Sequence, residues 1–251
     1  MAVLADIHGN RWALEVVLDD IRRRGIRHMC NLGDCLYGPL DPAGTARILM
    51  ELDIPTVRGN EDRALLEDAS HHPDSPSLAF CRSQLAPEHL AWLRELPFTA
   101  VSGNCFLCHG SPRADNDYLL WEVAAAGAHR RLAATIAARL AGIAQPIVLC
   151  GHDHLPSLLA LPDGRFVINP GSVGLPAYRD SSPHPHAMEA GSPHARYAII
   201  VLSKTGIVVE HIAVPYDWES TAAAAAENGR ADWAHALRTG FAIEPGNERR
   251  T

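Results

Sequence analysis

The sequence predicts an α/β fold of four layers, α/β/β/α, with two stacked mixed sheets between helices. Three observations lead there. Short apolar runs recur along the chain, and each closes on a polar cluster. The early runs alternate with segments of helical periodicity, a βαβαβ pattern that favours a parallel sheet. The late part reads as an antiparallel hairpin, which makes the sheets mixed.

Strands are expected at Ala2 to Ala5 before Asp6, His28 to Leu32 before Gly33-Asp34, and Pro55 to Arg58 before Gly59-Asn60. Three more are expected at Cys105 to Cys108 before His109-Gly110, Ile147 to Cys150 before Gly151-His152, and Phe166 to Ile168 before Asn169. Between the first three lie helical patterns, Arg11 to Arg24 stopped by Gly25, and Ala43 to Leu52 ahead of Pro55. Pro87 to Leu96 and Ala124 to Leu140 read as further helices. Tyr197 to Leu202 and Ile207 to Ile212 form the hairpin, turning at Lys204-Thr205-Gly206. An alanine-rich helix at Thr221 to Glu227, capped by Ser220, and a short one at Asp232 to Arg238 follow. Residues 1–243 are expected to form one domain, and 244–251, with little apolar content, a flexible tail.

A chain of 251 residues, 47% of them hydrophobic, can bury one sizeable core and is not composed like a disordered segment. The formal net charge of -7 argues against extended nucleic acid as a partner, while bound cations still attract a small-molecule phosphate ester. No apolar run is long enough to span a bilayer, and Asp6 stands too early for a cleaved leader to precede it. A cytoplasmic protein with no membrane association is therefore expected. Six scattered cysteines in a chain of this size read as reduced, buried thiols. Cys105 and Cys108, three apart on a strand, should point to opposite faces and so do not chelate.

The chemistry gathers at strand ends, where open α/β sheets bind their ligands. There the chain carries Asp6-Ile7-His8, Gly33-Asp34, Gly59-Asn60-Glu61-Asp62, His109-Gly110 and Gly151-His152-Asp153-His154. Any one of these is weak, but five in order are specific. Their carboxylates, imidazoles and amide are the mixed oxygen and nitrogen donors of divalent transition metals. In this order the motifs resemble the calcineurin-like metallophosphoesterases, whose pattern is D-x-H, G-D, G-N-[HC]-[ED], H and G-H-x-H. The likeness continues through Ser111-Pro112, Asn169-Pro170-Gly171-Ser172-Val173-Gly174 and Tyr216-Asp217, and it looks closest to the small bacterial and archaeal phosphodiesterase branch.

The resemblance implies a metallophosphoesterase fold and two divalent ions, Mn or Fe ahead of Zn, Ni or Co. Asp6, His8, Asp34 and His154 would hold the first ion, and Asp34, Asn60, His109 and His152 the second, with Asp34 as the bridge. It implies direct hydrolysis of a phosphate ester by a metal-bridging hydroxide, without a covalent enzyme intermediate. If the segment is extended, His152 and His154 reach the same side and Asp153 points away, behind the ligands or to the surface.

Asn60, Glu61 and Asp62 form the expected catalytic cluster. Glu61 departs from the pattern, standing where many relatives carry a His that helps the leaving group and others of the branch a Cys. A carboxylate beside two cations stays ionised and donates no proton. The branch resembled looks biased toward phosphodiesters with acidic leaving groups, so small phosphodiesters are the substrates the resemblance implies. Asp62 is expected to orient Asn60 or a ligand histidine.

Asn10, Tyr37 and Ser172 lie in loops that should face the ions and are expected to touch substrate, although turn residues also bond their own backbone. The stretch from Ala177 to His194 reads as a Pro-rich surface loop in preference to a third metal site at His184, His186 and His194. Folded over the site, it would shape substrate choice. The same metal core would serve a phosphomonoesterase or protein phosphatase. The family resembled also includes non-catalytic scaffolds that bind proteins, a reading opposed by the complete set of seven ligands.

Overall fold

The computed structural model describes residues 1–68, 75–203 and 206–243. In chain order its elements begin with β1 (Ala2–Leu4), α1 (Arg11–Arg23), β2 (Met29–Asn31), α2 (Pro42–Leu52), α3 (Asn60–Leu66), α4 (Pro76–Gln84) and α5 (Pro87–Glu95). Next come β3 (Thr99–Ser102), β4 (Cys105–Cys108), β5 (Trp121–Ala124), β6 (Gly127–Arg130), α6 (Ala133–Arg139), β7 (Ile147–Leu149), β8 (Ser157–Ala160) and β9 (Phe166–Asn169). The chain closes with β10 (Ala177–Asp180), β11 (His186–Glu189), β12 (Ala195–Ser203), β13 (Gly206–Val214), α7 (Trp218–Glu227) and α8 (Ala231–Thr239).

Two mixed sheets form the centre. One runs β13-β12-β1-β2, with β1 and β2 parallel and the β12–β13 hairpin antiparallel. The other runs β3-β4-β7-β9-β8, with a parallel middle of β4, β7 and β9. Strand alternation assigns each residue to one face. Val3, Ala5, Leu107, Leu149 and Ile168 meet between the sheets. Their neighbours Leu4, Leu14 and Leu49 pack the first sheet against α1 and α2. Phe106, Val148, Val167, Ile136 and Leu140 pack the second sheet against α6. Three apolar seams between four layers are what the α/β/β/α arrangement requires. Cys105 lies in the middle seam and Cys108 in the outer one, so the pair faces opposite ways, as the strand period demands.

Several local expectations are corrected. Pro55 to Arg58 makes a single parallel bridge, Thr56 to Asn31, because the chain must turn at once into Gly59 and α3. The alanine-rich stretch from Ala124 is not helical until Ala133. Its first part is the hairpin β5–β6, whose turn ends at Gly127 with φ 105°. The cap of α7 is Asp217, whose side chain accepts from the Ser220 N–H, and the helix starts three residues before Thr221. The stretch from Ala177 is not a plain loop but the hairpin β10–β11. Residues 204–205 of the late turn and the expected tail at 244–251 lie outside the described residues. Among the described residues, no helix is long and apolar enough to cross a membrane.

Candidate metal centre

Beyond the end of β1 the backbone continues beside the segment that follows β2. Asp6 N–H donates to Gly33 O (3.0 Å), His8 N–H to Asp34 O (2.9 Å) and Gly9 N–H to Cys35 O (3.0 Å). This extended register brings Asp6 and Asp34 side by side. On the other flank Val173 N–H donates to Ala5 O and Gly174 N–H to Asp6 O, both at 3.0 Å. Asp6, His8, Asp34, His152 and His154 all have positive φ, between 52° and 71°. Such conformations cost roughly 1–3 kcal/mol each and persist only where surrounding bonds over-determine them. Among the described non-glycine residues, Asp53 alone shares the feature.

The ligands converge in two groups. Asp6, His8 and His154 offer atoms within 4.8 Å of one another, and Asp34, His109 and His152 do the same. The groups touch: Asp34 Oδ2 lies 3.3 Å from His109 Nε2 and 3.9 Å from His8 Nε2. Asn60 Oδ1 joins the second group, 3.1 Å from His109 Nε2. Asp34, expected in both sets, falls in the second group and only approaches the first, and the expected extended segment is not found. His152 and His154 are left-handed rather than extended, and they turn to different groups.

Backbone carbonyls fix three of the four imidazoles. His8 Nδ1 donates to Tyr37 O (3.0 Å), His109 Nδ1 to Leu32 O (2.8 Å) and His154 Nδ1 to Leu175 O (2.6 Å). A carbonyl can only accept, so each neutral ring turns an unprotonated Nε2 inward. His8 Nε2 and His154 Nε2 then face each other at 3.1 Å, with Asp6 Oδ1 3.4 Å from the latter. Lone pairs crowded this closely are favourable only around positive charge. The same demand shows in the ionisation: despite burial, Asp34 and Asp6 push the His109 imidazole up to about 10. Burial instead holds His8 down at about 4 and His152 at about 3, keeping them neutral, as metal ligands must be. Burial raises Asp34, yet His109, with His8 and His152, outweighs it and holds the carboxyl well below the usual range. These residues fit a pair of divalent cations with mixed nitrogen and oxygen donors.

Asp62 is fully buried and ties two ligand loops together. Its carboxylate accepts from Cys35 N–H (2.9 Å), Leu36 N–H (3.3 Å) and Gly59 N–H (3.1 Å). Burial, then repulsion from Asp34, pushes it up to about 6. The Glu61 N–H donates to Asp34 Oδ1 (2.9 Å), and its side chain lines the space beside the ligands. Burial, then Asp34 and Asp62, pushes the Glu61 carboxyl up to about 8.

Tyr37 lines the same space. Asn10 and Ser172 are turned away from it. Asn10 caps α1 through Ala13 N–H and donates to Gly174 O and Tyr216 Oη, while Ser172 Oγ donates to Asp6 O and accepts from Leu175 N–H. Both brace the Asp6 turn from behind. Asp153 is buried rather than at the surface, accepting from Leu155 N–H (2.9 Å), and burial pushes it up to about 7. His186 does not form a third site with His184 and His194. Its Nδ1 donates to the His184 carbonyl and its Nε2 meets Tyr118 Oη (2.9 Å). Sequence reasoning missed Tyr118, Tyr178 and Trp233, which pack on the ligand rings and belong to no motif.

A four-layer α/β sandwich with two adjoining Asp/His ligand groups at its strand ends defines a metal-dependent phosphoesterase. The chain belongs to the calcineurin-like phosphoesterase superfamily, whose domain model matches residues 1–188. It is 26% identical over 198 residues to the uncharacterized protein MJ0912 of Methanocaldococcus jannaschii, covering 70% of this chain and 76% of that protein. Its structure is similar to a metallophosphoesterase from Sphaerobacter thermophilus, with a TM-score of 0.71, 26% identity, and coverage of 93% of this chain and 98% of that one. It is similar in fold to the hypothetical protein PH1004 from Pyrococcus horikoshii, with a TM-score of 0.71, 19% identity and coverage of 97% and 99%.

Proposed function

We propose that this chain is a dinuclear phosphodiesterase, hydrolysing small phosphodiesters by direct attack of water on phosphorus. The observation that carries the reading is that two clefts meet at the ligands. The larger, about 700 Å³, is bounded by Tyr118, Trp121, Arg131 and Asp117. The smaller, about 280 Å³, is bounded by His8, His154, Tyr178, Arg230 and Trp233. Tyr37, Asn60, Glu61, His152 and Asp180 border both. A diester carries a second substituent on phosphorus, and the larger cleft, adjoining the smaller one that the ligands line, leaves room for it.

Two divalent cations, Mn or Fe in our reading, would supply charge to neutralise phosphoryl oxygens and acidify the attacking water. Asp6, His8 and His154 would hold one and Asn60, His109 and His152 the other, with Asp34 between the two groups. Asp62 keeps the Asp34 and Gly59 loops in register. Glu61 reaches both clefts, and opposite charge beside it works against the upward push of burial, so it is not assigned the role of proton donor. Without such a donor, leaving groups that depart as stable anions are favoured. The net charge of -7 suits a small ester rather than extended nucleic acid.

The test is kcat/KM with Mn²⁺ for bis-p-nitrophenyl phosphate against p-nitrophenyl phosphate. The diester should be preferred. A strong monoester preference would overturn the reading.

A further inference from the structure

The four ligand imidazoles are not held alike. His8, His109 and His154 each have Nδ1 tied to a backbone carbonyl. His152 has no such bond among the described residues. Its hydrogen bonds are made by its backbone: the N–H donates to the Asp6 carboxylate, and the carbonyl accepts from Tyr178 Oη (2.9 Å). What lies against its ring is Tyr118, stacked with centroids 4.6 Å apart and planes 21° from parallel.

Tyr118 is itself fixed. Its hydroxyl lies 2.7 Å from Tyr178 Oη and 2.9 Å from His186 Nε2. The Tyr178 proton goes to the His152 carbonyl, which can only accept, and His186 Nδ1 donates to the His184 carbonyl, so the single Tyr118 proton faces two acceptors, Tyr178 Oη and His186 Nε2. The chain of contacts therefore closes on one residue, from the His152 ring through the Tyr118 ring and two hydroxyls back to the His152 carbonyl. Tyr178 and His186 come from the two strands of the β10–β11 hairpin. Asp180 pairs with His186 and Tyr178 with Met188, so these four residues share one face of it. That face turns to the metal centre: Tyr178 also meets the His154 ring edge-on at 4.6 Å.

We propose that Tyr118 is a positioning residue for the ligand His152, replacing the missing carbonyl bond with a ring stack, and that the β10–β11 hairpin exists to clamp it. The stack sets the plane of the imidazole, and the Tyr178 bond sets the carbonyl of the same residue. This gives the stretch from Ala177 to His194 a role in metal binding without any metal ligand of its own. The inference rests on the metal-centre reading above.

The test is calorimetric titration of chelator-stripped protein with Mn²⁺, a readout separate from turnover and from any contact Tyr118 makes with substrate. Wild type should bind two Mn²⁺. Tyr118→Leu should weaken one site, the one that His152→Ala removes, by roughly 10- to 100-fold, as for groups that orient metal ligands, and leave the other unchanged. Tyr118→Phe keeps the ring and should recover much of the loss. Leu140→Ala, in the seam between the second sheet and α6, should lower stability without changing either affinity.

If Tyr118→Leu gives a wild-type circular dichroism spectrum and two unchanged Mn²⁺ affinities, the proposal is overturned. Should Tyr118→Leu fail to fold, Tyr178→Phe, which strips the donor from the His152 carbonyl, must weaken the same site, and unchanged affinity there overturns the proposal equally. A wild-type protein that binds fewer than two Mn²⁺ overturns the underlying metal-centre reading instead.

Discussion

Gly59→Ala should disable the site through one added methyl group. Gly59 has φ -87° and ψ 174°, which alanine adopts freely, so the backbone itself does not demand glycine there. The demand comes from Asp34. A Cβ on Gly59 would stand 2.0 Å from Asp34 Oδ1 and 2.4 Å from its backbone nitrogen. The first contact is about 1.5 Å short of ordinary non-bonded separation. Asp34 has little room to retreat, since Oδ1 accepts from Glu61 N–H and its carbonyl accepts from His8 N–H. Overpacking of this kind costs about 1–3 kcal/mol. Displacing a ligand by on the order of 1 Å also costs about 100-fold in rate. Thermal melts, Mn²⁺ calorimetry and diester turnover read the three effects. Gly164→Ala is the control: it strains a position at φ 86° with open space around it, so it should lose about 1–2 kcal/mol and leave Mn²⁺ binding intact. Wild-type stability, affinity and turnover in Gly59→Ala would refute the reasoning.

Asp34→Asn should lose both ions together, because its carboxylate lies between the two groups, whereas His154→Ala should weaken mainly one. Native mass spectrometry counts the ions, and wild-type stoichiometry in Asp34→Asn contradicts the bridge. Adding Mn²⁺ to stripped protein at about 100 times its Kd should stabilise it by about 2.7 kcal/mol for each ion bound. That corresponds to a rise in Tm of roughly 5–10 °C per ion for a chain of this size, and an unchanged melt counts against a folded-state site. Glu61→Gln should retain diester turnover, and a large fall in kcat would restore a proton-transfer role to Glu61. Tyr197→Phe removes a 2.7 Å bond from a buried hydroxyl to Asp20, which also keeps Arg23 and Arg24 as partners. The expected loss is about 1.5 kcal/mol near neutral pH. Burial raises Asp20, but the bonds from Tyr197, Arg24 and Arg23 together outweigh it, leaving the carboxyl below its unfolded value. The bond therefore contributes above the unfolded pKa and is lost as pH falls through the folded one. Urea midpoints of the two proteins should converge in acid, and a constant gap would exclude the carboxylate.

The seven candidate ligands, and most of the strands that lead to them, could be picked out because both signals are local. An apolar run with period 2 identifies a strand, and the polar residue at its end falls where sheets open. The hairpin β5–β6 was hidden because Ala124, Ala125 and Ala126 favour helix by propensity, while the turn at Gly127 and pairing across it decide otherwise. Asp62 could be assigned a supporting role but not its partners, since the Cys35 and Leu36 amides lie 27 and 26 residues away. The Tyr118 clamp was illegible for the same reason. Its hydroxyl meets residues 60 and 68 positions further on, and no periodicity within either segment encodes that meeting.

The strained backbone links these levels. Five ligands adopt left-handed φ although an isolated peptide of their sequence would not, so the conformation must be imposed by what surrounds them. The imposing bonds are identifiable: Gly33 O and Gly174 N–H on Asp6, Asp34 O on His8, Leu175 O on the His154 ring, and Tyr178 Oη on His152. They come from both flanks of β1 and from the β10–β11 hairpin. The donors are therefore aimed by the fold as a whole. That is the property a two-cation centre needs if charge is to be stabilised in the transition state rather than in the resting protein.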